Sequence, residues 1–281
     1  MQEDLWSEPE RVIRVPTPFE VLHGSDVRVV TRVELTGFDG WVEDALANTS
    51  GNKQQQAERF TEVLSRCTVR AGDDDSWFLE RPQGQTRKSL PKFFSALYEE
   101  MPLANRTLQI LRLRQLAVHD PDEKISGHKF TFDMTCPHCK KLTQGYYHML
   151  NEVEVRYSSK VVKLNHVEYL ERGGSTYAWR PLRGKDAASV SHIMEDDSDS
   201  RPSRMLKLLL VSIDGAPVES LSAVKDLRTQ DRAAILRASD SFGSVDTSII
   251  LPCRKPTCGR EYTTRIPTDQ KSFFSPEPES N

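Results

Sequence analysis

Apolar positions recur at helical spacing in several stretches of the chain. Ala57, Phe60, Val63, Leu64 and Cys67 fall on one face of a helix that starts near Lys53. Ser89 with Pro91 marks a second helix start. Pro102 opens a third helix running to Val118, because proline fits the first helical turn, where its missing N–H costs nothing. Leu221, Val224 and Leu227 make a short stripe, and Ile235 and Leu236 belong to the helix after it. Elsewhere the period falls to two. Phe130-Thr131-Phe132-Asp133-Met134 alternates as a strand does, and strands are predicted at Asp26 to Leu35, Val161 to Leu170, Ser175 to Leu182, Val245 to Leu251 and Tyr262 to Ile266. Asp73-Asp74-Asp75 and Glu195 to Arg204 read as a solvated turn and an exposed loop, without the ligand spacing of a calcium loop.

The pattern repeats itself. Leu35, Gly37 and Asp39 match Leu182, Gly184 and Asp186. Each set follows a predicted strand and enters a predicted helix, Asp39 to Ala47 and Asp186 to Met194, where the Asp is placed to accept backbone N–H groups. Val63-Leu64 before Cys67 resembles Leu208-Leu209 before Ser212, and Asn105-Arg106 resembles Asp231-Arg232. Gly127 and Gly243 each precede a pair of cysteines. The expected fold is therefore α+β: two similar halves of helices and strands, joined through a split four-Cys zinc ribbon. The expected divisions are an N-terminal extension over 1–20, a first half over 21–158, a second half over 159–270 and a tail over 271–281.

Composition narrows the classes. The 281 residues carry 38 Lys and Arg against 41 Asp and Glu, a formal charge of −3, which argues against binding nucleic acid by bulk charge. The longest nearly apolar run, Met205 to Ile213, is interrupted by Lys207 and falls short of the roughly 20 apolar residues of a membrane span. The start Met1-Gln2-Glu3-Asp4 lacks the basic and apolar segments of a signal peptide. A soluble chain in a reducing cytoplasm is expected.

Cysteine spacing carries the chemistry. Cys136-Pro137-His138-Cys139 is a C-x2-C, and Cys253 and Cys258 form a C-x4-C followed by Gly259. Each pair follows a predicted strand, so each sits on a knuckle that points two sulfurs at one place. Four thiolates suit tetrahedral zinc and close its coordination sphere, which makes a structural rather than a catalytic site. A cytosolic disulfide and a redox C-x-x-C are the competing readings, and the latter would need a helix beginning at the motif. The second loop is wide, and Lys140 stands where Gly would be easiest. His138 is expected exposed, with His128 and His148 as minor substitutes for a ligand, and Cys67 as a buried thiol.

The ordered set Leu35 to Asp39, Val63 to Val69, Asp231-Arg232, Cys136 to Cys139, Cys258-Gly259 and Phe273-Phe274-Ser275-Pro276 resembles the baseplate hub subunit and tail-assembly chaperone family of contractile-tailed bacteriophages. The resemblance covers about residues 20 to 276. It implies a non-catalytic protein of tail morphogenesis that acts on or within the central hub, with the host bacterial cytoplasm as its expected location and the virion tail baseplate as the alternative. It also implies other tail or hub proteins as partners, with no small-molecule substrate and no membrane. Phe273 and Phe274 in the tail are candidates for a partner anchor or for packing on the chain itself.

Two other functions compete. Lys140-Lys141, Arg254-Lys255 and Arg260 on the knuckles, with Tyr146-Tyr147 nearby, would suit a zinc-ribbon nucleic-acid binder. An enzyme is not expected: no Ser/His/Asp order, phosphate-cradling glycine loop or H-E-x-x-H occurs, and the seven His are scattered.

Overall fold

Strands β1 (Val12–His23) and β2 (Asp26–Leu35) pair antiparallel about the turn at Gly24. The computed structural model describes residues 9–37, 42, 52–82, 90–119, 129–149, 153–195 and 200–266. Ile13, Val15, Val21, Val30, Val33 and Leu35 of this hairpin are buried. Helix α1 (Lys53–Cys67) is started by a reciprocal cap, in which Asn52 Oδ1 accepts from the Gln55 N–H at 3.0 Å and Gln55 Oε1 accepts from the Asn52 N–H at 3.1 Å. It runs directly into β3 (Thr68–Gly72), and the Thr36 N–H reaches the Cys67 carbonyl at 2.7 Å. With β4 (Trp77–Glu80) the sheet has the order β1-β2-β3-β4. Helices α2 (Leu90–Glu100) and α3 (Leu103–Val118) follow, the latter capped by Pro102 as the sequence predicts. Phe94, Leu97, Tyr98, Met101, Leu111 and Leu113 join Val63, Leu64 and Cys67 in the core.

The chain then forms the hairpin of β5 (Lys129–Thr135) and β6 (Leu142–Met149), followed by the short β7 (Glu154–Arg156). A second hairpin comes next, β8 (Glu168–Arg172) and β9 (Ser175–Trp179). After α4 (Ala187–Glu195), helix α5 (Arg201–Leu209) enters β10 (Leu210–Ile213) without a loop, and β11 (Ala216–Pro217) completes a sheet of order β11-β10-β9-β8. Helices α6 (Leu221–Lys225) and α7 (Thr229–Ser239) lead to β12 (Ser244–Asp246), which pairs with β7. The described chain ends in the hairpin of β13 (Ser248–Pro252) and β14 (Glu261–Arg265). The protein is thus a mixed α/β molecule with antiparallel sheets. No helix among the described residues is long and apolar enough to cross a membrane.

The two sheets are locked together between α2 and the segment ahead of α4. The Leu103 N–H donates to the Leu182 carbonyl at 3.1 Å and the Gly184 N–H to that of Met101 at 2.8 Å. A Cβ on Gly184 would lie 1.7 Å from the Tyr98 carbonyl oxygen, so only glycine permits this approach. Arg183, itself buried, donates to Glu100 and to the Lys163 carbonyl. A parallel bridge of Phe19 with Val162 adds a further contact.

Several predicted bounds change. The expected boundary at residue 20 falls inside β1, and residues 12–20 belong to the first sheet. The strand predicted over Val161 to Leu170 is broken by a turn, where the His166 N–H bonds the Lys163 carbonyl and Asn165 has φ +54°. Only its end enters β8. The predicted strand Val245 to Leu251 divides at Thr247: Asp246 Oδ1 accepts the Ser248 N–H, and the pieces pair with different partners. Asp186 stands at the start of α4, but its carboxylate turns back to accept the Arg183 N–H and both arms of Arg180. The predicted helix from Asp39 to Ala47 lies outside the described residues, apart from the buried Val42.

Candidate metal centre

Each cysteine pair sits at the tip of a hairpin, and hydrogen bonding builds both tips alike. In the first, the Cys136 N–H donates to the Lys141 carbonyl at 3.0 Å and the Lys140 N–H to the Cys136 carbonyl at 2.9 Å. In the second, the Cys253 N–H donates to the Arg260 carbonyl at 2.9 Å. There the tight turn closes on Lys255 instead, whose carbonyl accepts from Cys258 and Gly259 at 2.9 and 3.1 Å. The wider spacing is thus absorbed between Cys253 and Lys255, ahead of the turn. Lys140 and Gly259, each following the second cysteine, both adopt φ +57°. Glycine meets that requirement without cost and lysine does not.

The two tips bring all four sulfurs together. Those of Cys136, Cys139, Cys253 and Cys258 lie within 4.8 Å of one another and could hold a metal ion. Cys139 Sγ and Cys253 Sγ are 3.8 Å apart. A disulfide needs about 2.05 Å, whereas the edge of a sulfur tetrahedron with bonds of ~2.3 Å is about 3.8 Å. All four thiols are free. Cys136 and Cys253 are buried and the other two half-buried, which shields the centre from bulk water. Burial pushes the Cys136 thiol up, but N–H groups of Cys139 and His138 and the neighbouring sulfurs outweigh it and bring it down to about 6. A sulfur held as thiolate near neutral pH is the form that binds metal.

No helix begins at either motif, since both tips are followed by strands β6 and β14. The geometry that lowers a redox thiol at a helix N-terminus is therefore not the one present. His138 is exposed, and its Nε2 donates to the Glu261 carbonyl at 3.2 Å, tying the first tip to the β13–β14 hairpin. Nothing in the residue pattern signals that bond, because the partner is a backbone oxygen. Cys67 is buried in the core, away from the cluster, as expected. Lys140, Lys141, Arg254, Lys255 and Arg260 are all exposed around the tips. Phe273, Phe274 and His128 lie outside the described residues, as does the His148 side chain.

No family model, curated protein or solved structure matches this chain.

Proposed function

We propose that the four cysteines hold one structural zinc ion and that the chain is a non-catalytic assembly protein of two related halves clasped by that ion. The observation that carries this reading is the closed set of four sulfurs drawn in pairs from two distant hairpins. Four thiolates leave a tetrahedral ion no position for water, so the metal builds the fold and performs no hydrolysis. The resemblance to the phage hub and tail-assembly family makes tail morphogenesis the setting, with other hub proteins as partners.

The relation between the halves is supported by matching side-chain contacts as well as element order. Arg106 is the fourth residue of α3 and donates to Thr61 Oγ1 at 2.7 Å; Arg232 is the fourth residue of α7 and donates to Ser203 Oγ at 2.7 Å. Thr61 and Ser203 stand at matching places in α1 and α5, the helices that run directly into β3 and β10. By these contacts Leu35 corresponds to Trp179, since they pair with Thr68 and Leu210, the first residues of β3 and β10. The second half therefore carries three more residues before its Gly-x-Asp than the Leu35-to-Leu182 match assumes.

The test is a pull-down from infected host cells with tagged wild type and Cys136→Ser. Co-purification of tail hub proteins by the wild type, lost with the variant, is the expected result. Copies that recover no tail component would sink the assembly reading. The exposed basic residues on the tips favour a second reading as a nucleic-acid binder; micromolar, salt-dependent binding of single strands to those tips would establish it instead.

A further inference from the structure

A second site lies away from the cysteines, on the outer face of the first sheet. The ladder places Arg14 of β1 directly opposite Arg32 of β2, and Arg32 opposite Gly72 of β3, which in turn faces Trp77 of β4. The adjacent row is charge-matched: Glu34 faces Arg70, to which it is ion-paired, and Arg70 faces Glu80. The first row is not. Like charges directly opposite in a ladder repel. Neither Arg14 nor Arg32 forms an ion pair among the described residues; they lie over the rings of Tyr157 and Trp77 instead. Arg32 Nε is enclosed and has no hydrogen-bond partner among the described residues. A third guanidinium, that of Arg112 on α3, completes a cleft of about 350 Å³ lined by all three arginines and by Tyr157. Glu10 and Asp74 stand at the same cleft unpaired with any of them, Asp74 Oδ1 accepting from Thr31 Oγ1 at 2.8 Å.

We infer that this cleft binds a phosphate-bearing ligand of about the size of a nucleoside monophosphate. An oxyanion among Arg14, Arg32 and Arg112 relieves the repulsion and takes donors in the fork geometry that suits phosphate. The exposed ring of Tyr157 offers a stacking surface for a planar group. Glu10 and Asp74 can accept hydrogen bonds from hydroxyls of the remainder. The volume lies at the lower end of small-ligand sites.

The experiment titrates the full chain by calorimetry at constant ionic strength with three probes: inorganic phosphate, AMP and a short single-stranded oligonucleotide. Saturable AMP binding, tighter than that of phosphate, is the expected result, with affinity reduced about tenfold or more in Arg14→Gln and Arg112→Gln. Arg237→Gln on the distant α7 should leave it unchanged. Tighter binding of the oligonucleotide, lost in the same variants, would identify a strand backbone as the phosphate source. Arg32→Lys, which keeps charge but not the fork, should weaken binding. Because Arg32 also packs on Trp77, the other two variants decide the matter if it fails to fold. Absence of saturable binding by every probe, or equal binding by wild type and the Arg14 and Arg112 variants, overturns the site.

Discussion

Lys140 holds a left-handed conformation that Gly259 occupies at the matching place of the other tip. A side chain there costs about 1 kcal/mol. Lys140→Gly is accordingly expected to stabilise the metal-loaded protein by roughly 0.5–1 kcal/mol, partly offset by the freedom glycine adds to the unfolded chain. A denaturant midpoint measures this; a lower midpoint would show that the Lys140 side chain contributes something the backbone does not reveal. Asp186 is a second residue with a readable cost. Burial pushes its carboxyl up, but the Arg180 fork and the Arg183 N–H outweigh it and hold the group below the ordinary carboxylate range. A depressed folded value means the contribution is fully present above the unfolded value of about 3.9 and is lost as pH falls through the folded one. Asp186→Asn should therefore lower stability by about 1–2 kcal/mol at neutral pH, and the gap from wild type should close as pH falls through the depressed folded value. A gap that persisted in strong acid would mean the loss comes from packing rather than charge.

Among the elements, α3 carries the most instructive contact. Arg106 is buried, and burial brings its guanidinium down to about 10 although Tyr98 acts in the opposite direction. Its bonds go to Thr61 Oγ1 and to the Ala57 carbonyl at 2.8 Å, both on α1. Removing a partner from a buried cation costs more than removing the cation with its need. Thr61→Val should thus destabilise by about 2–3 kcal/mol, and Arg106→Met by less. Ser203→Ala on α5 should cost under about 1 kcal/mol, because Arg232 is half-exposed and can bond water instead. Equal losses at Thr61 and Ser203 would contradict this account of burial. The stripe from Ala57 to Cys67 located α1 and Pro102 located the start of α3; the Asn52 cap of α1 emerged only from the structure. Sequence periodicity missed β1 and the direct passages from α1 to β3 and from α5 to β10. There the chain changes conformation with no glycine or proline between Cys67 and Thr68, or between Leu209 and Leu210. What ends each helix is pairing of the next residue with a neighbouring strand, which local sequence does not encode. The arginine row of the first sheet was illegible for the same reason: only the β1–β2 register sets Arg14 beside Arg32.

For the whole molecule, the cysteines were the legible part of the site, because spacing within each pair reports the turn that presents the sulfurs. Their convergence across the intervening chain is a tertiary contact that spacing within a pair does not report, and the repeat of motifs was the one sign of it in the sequence. The joint between the two sheets and the sulfur cluster are separate ties. Gly184→Ala should therefore destabilise the joint by more than about 2 kcal/mol, through overpacking against Tyr98, while thiol protection at the tips persists in the folded fraction. The most direct test of the metal clasp is metal content per chain by mass spectrometry, read together with thiol alkylation before and after chelation. About one zinc per chain is expected, from the four-sulfur geometry. Cys136, Cys139, Cys253 and Cys258 should resist alkylation until the chelator removes the metal, and should then react together as the tips separate. A folded, metal-free protein whose four thiols alkylate at once would contradict it.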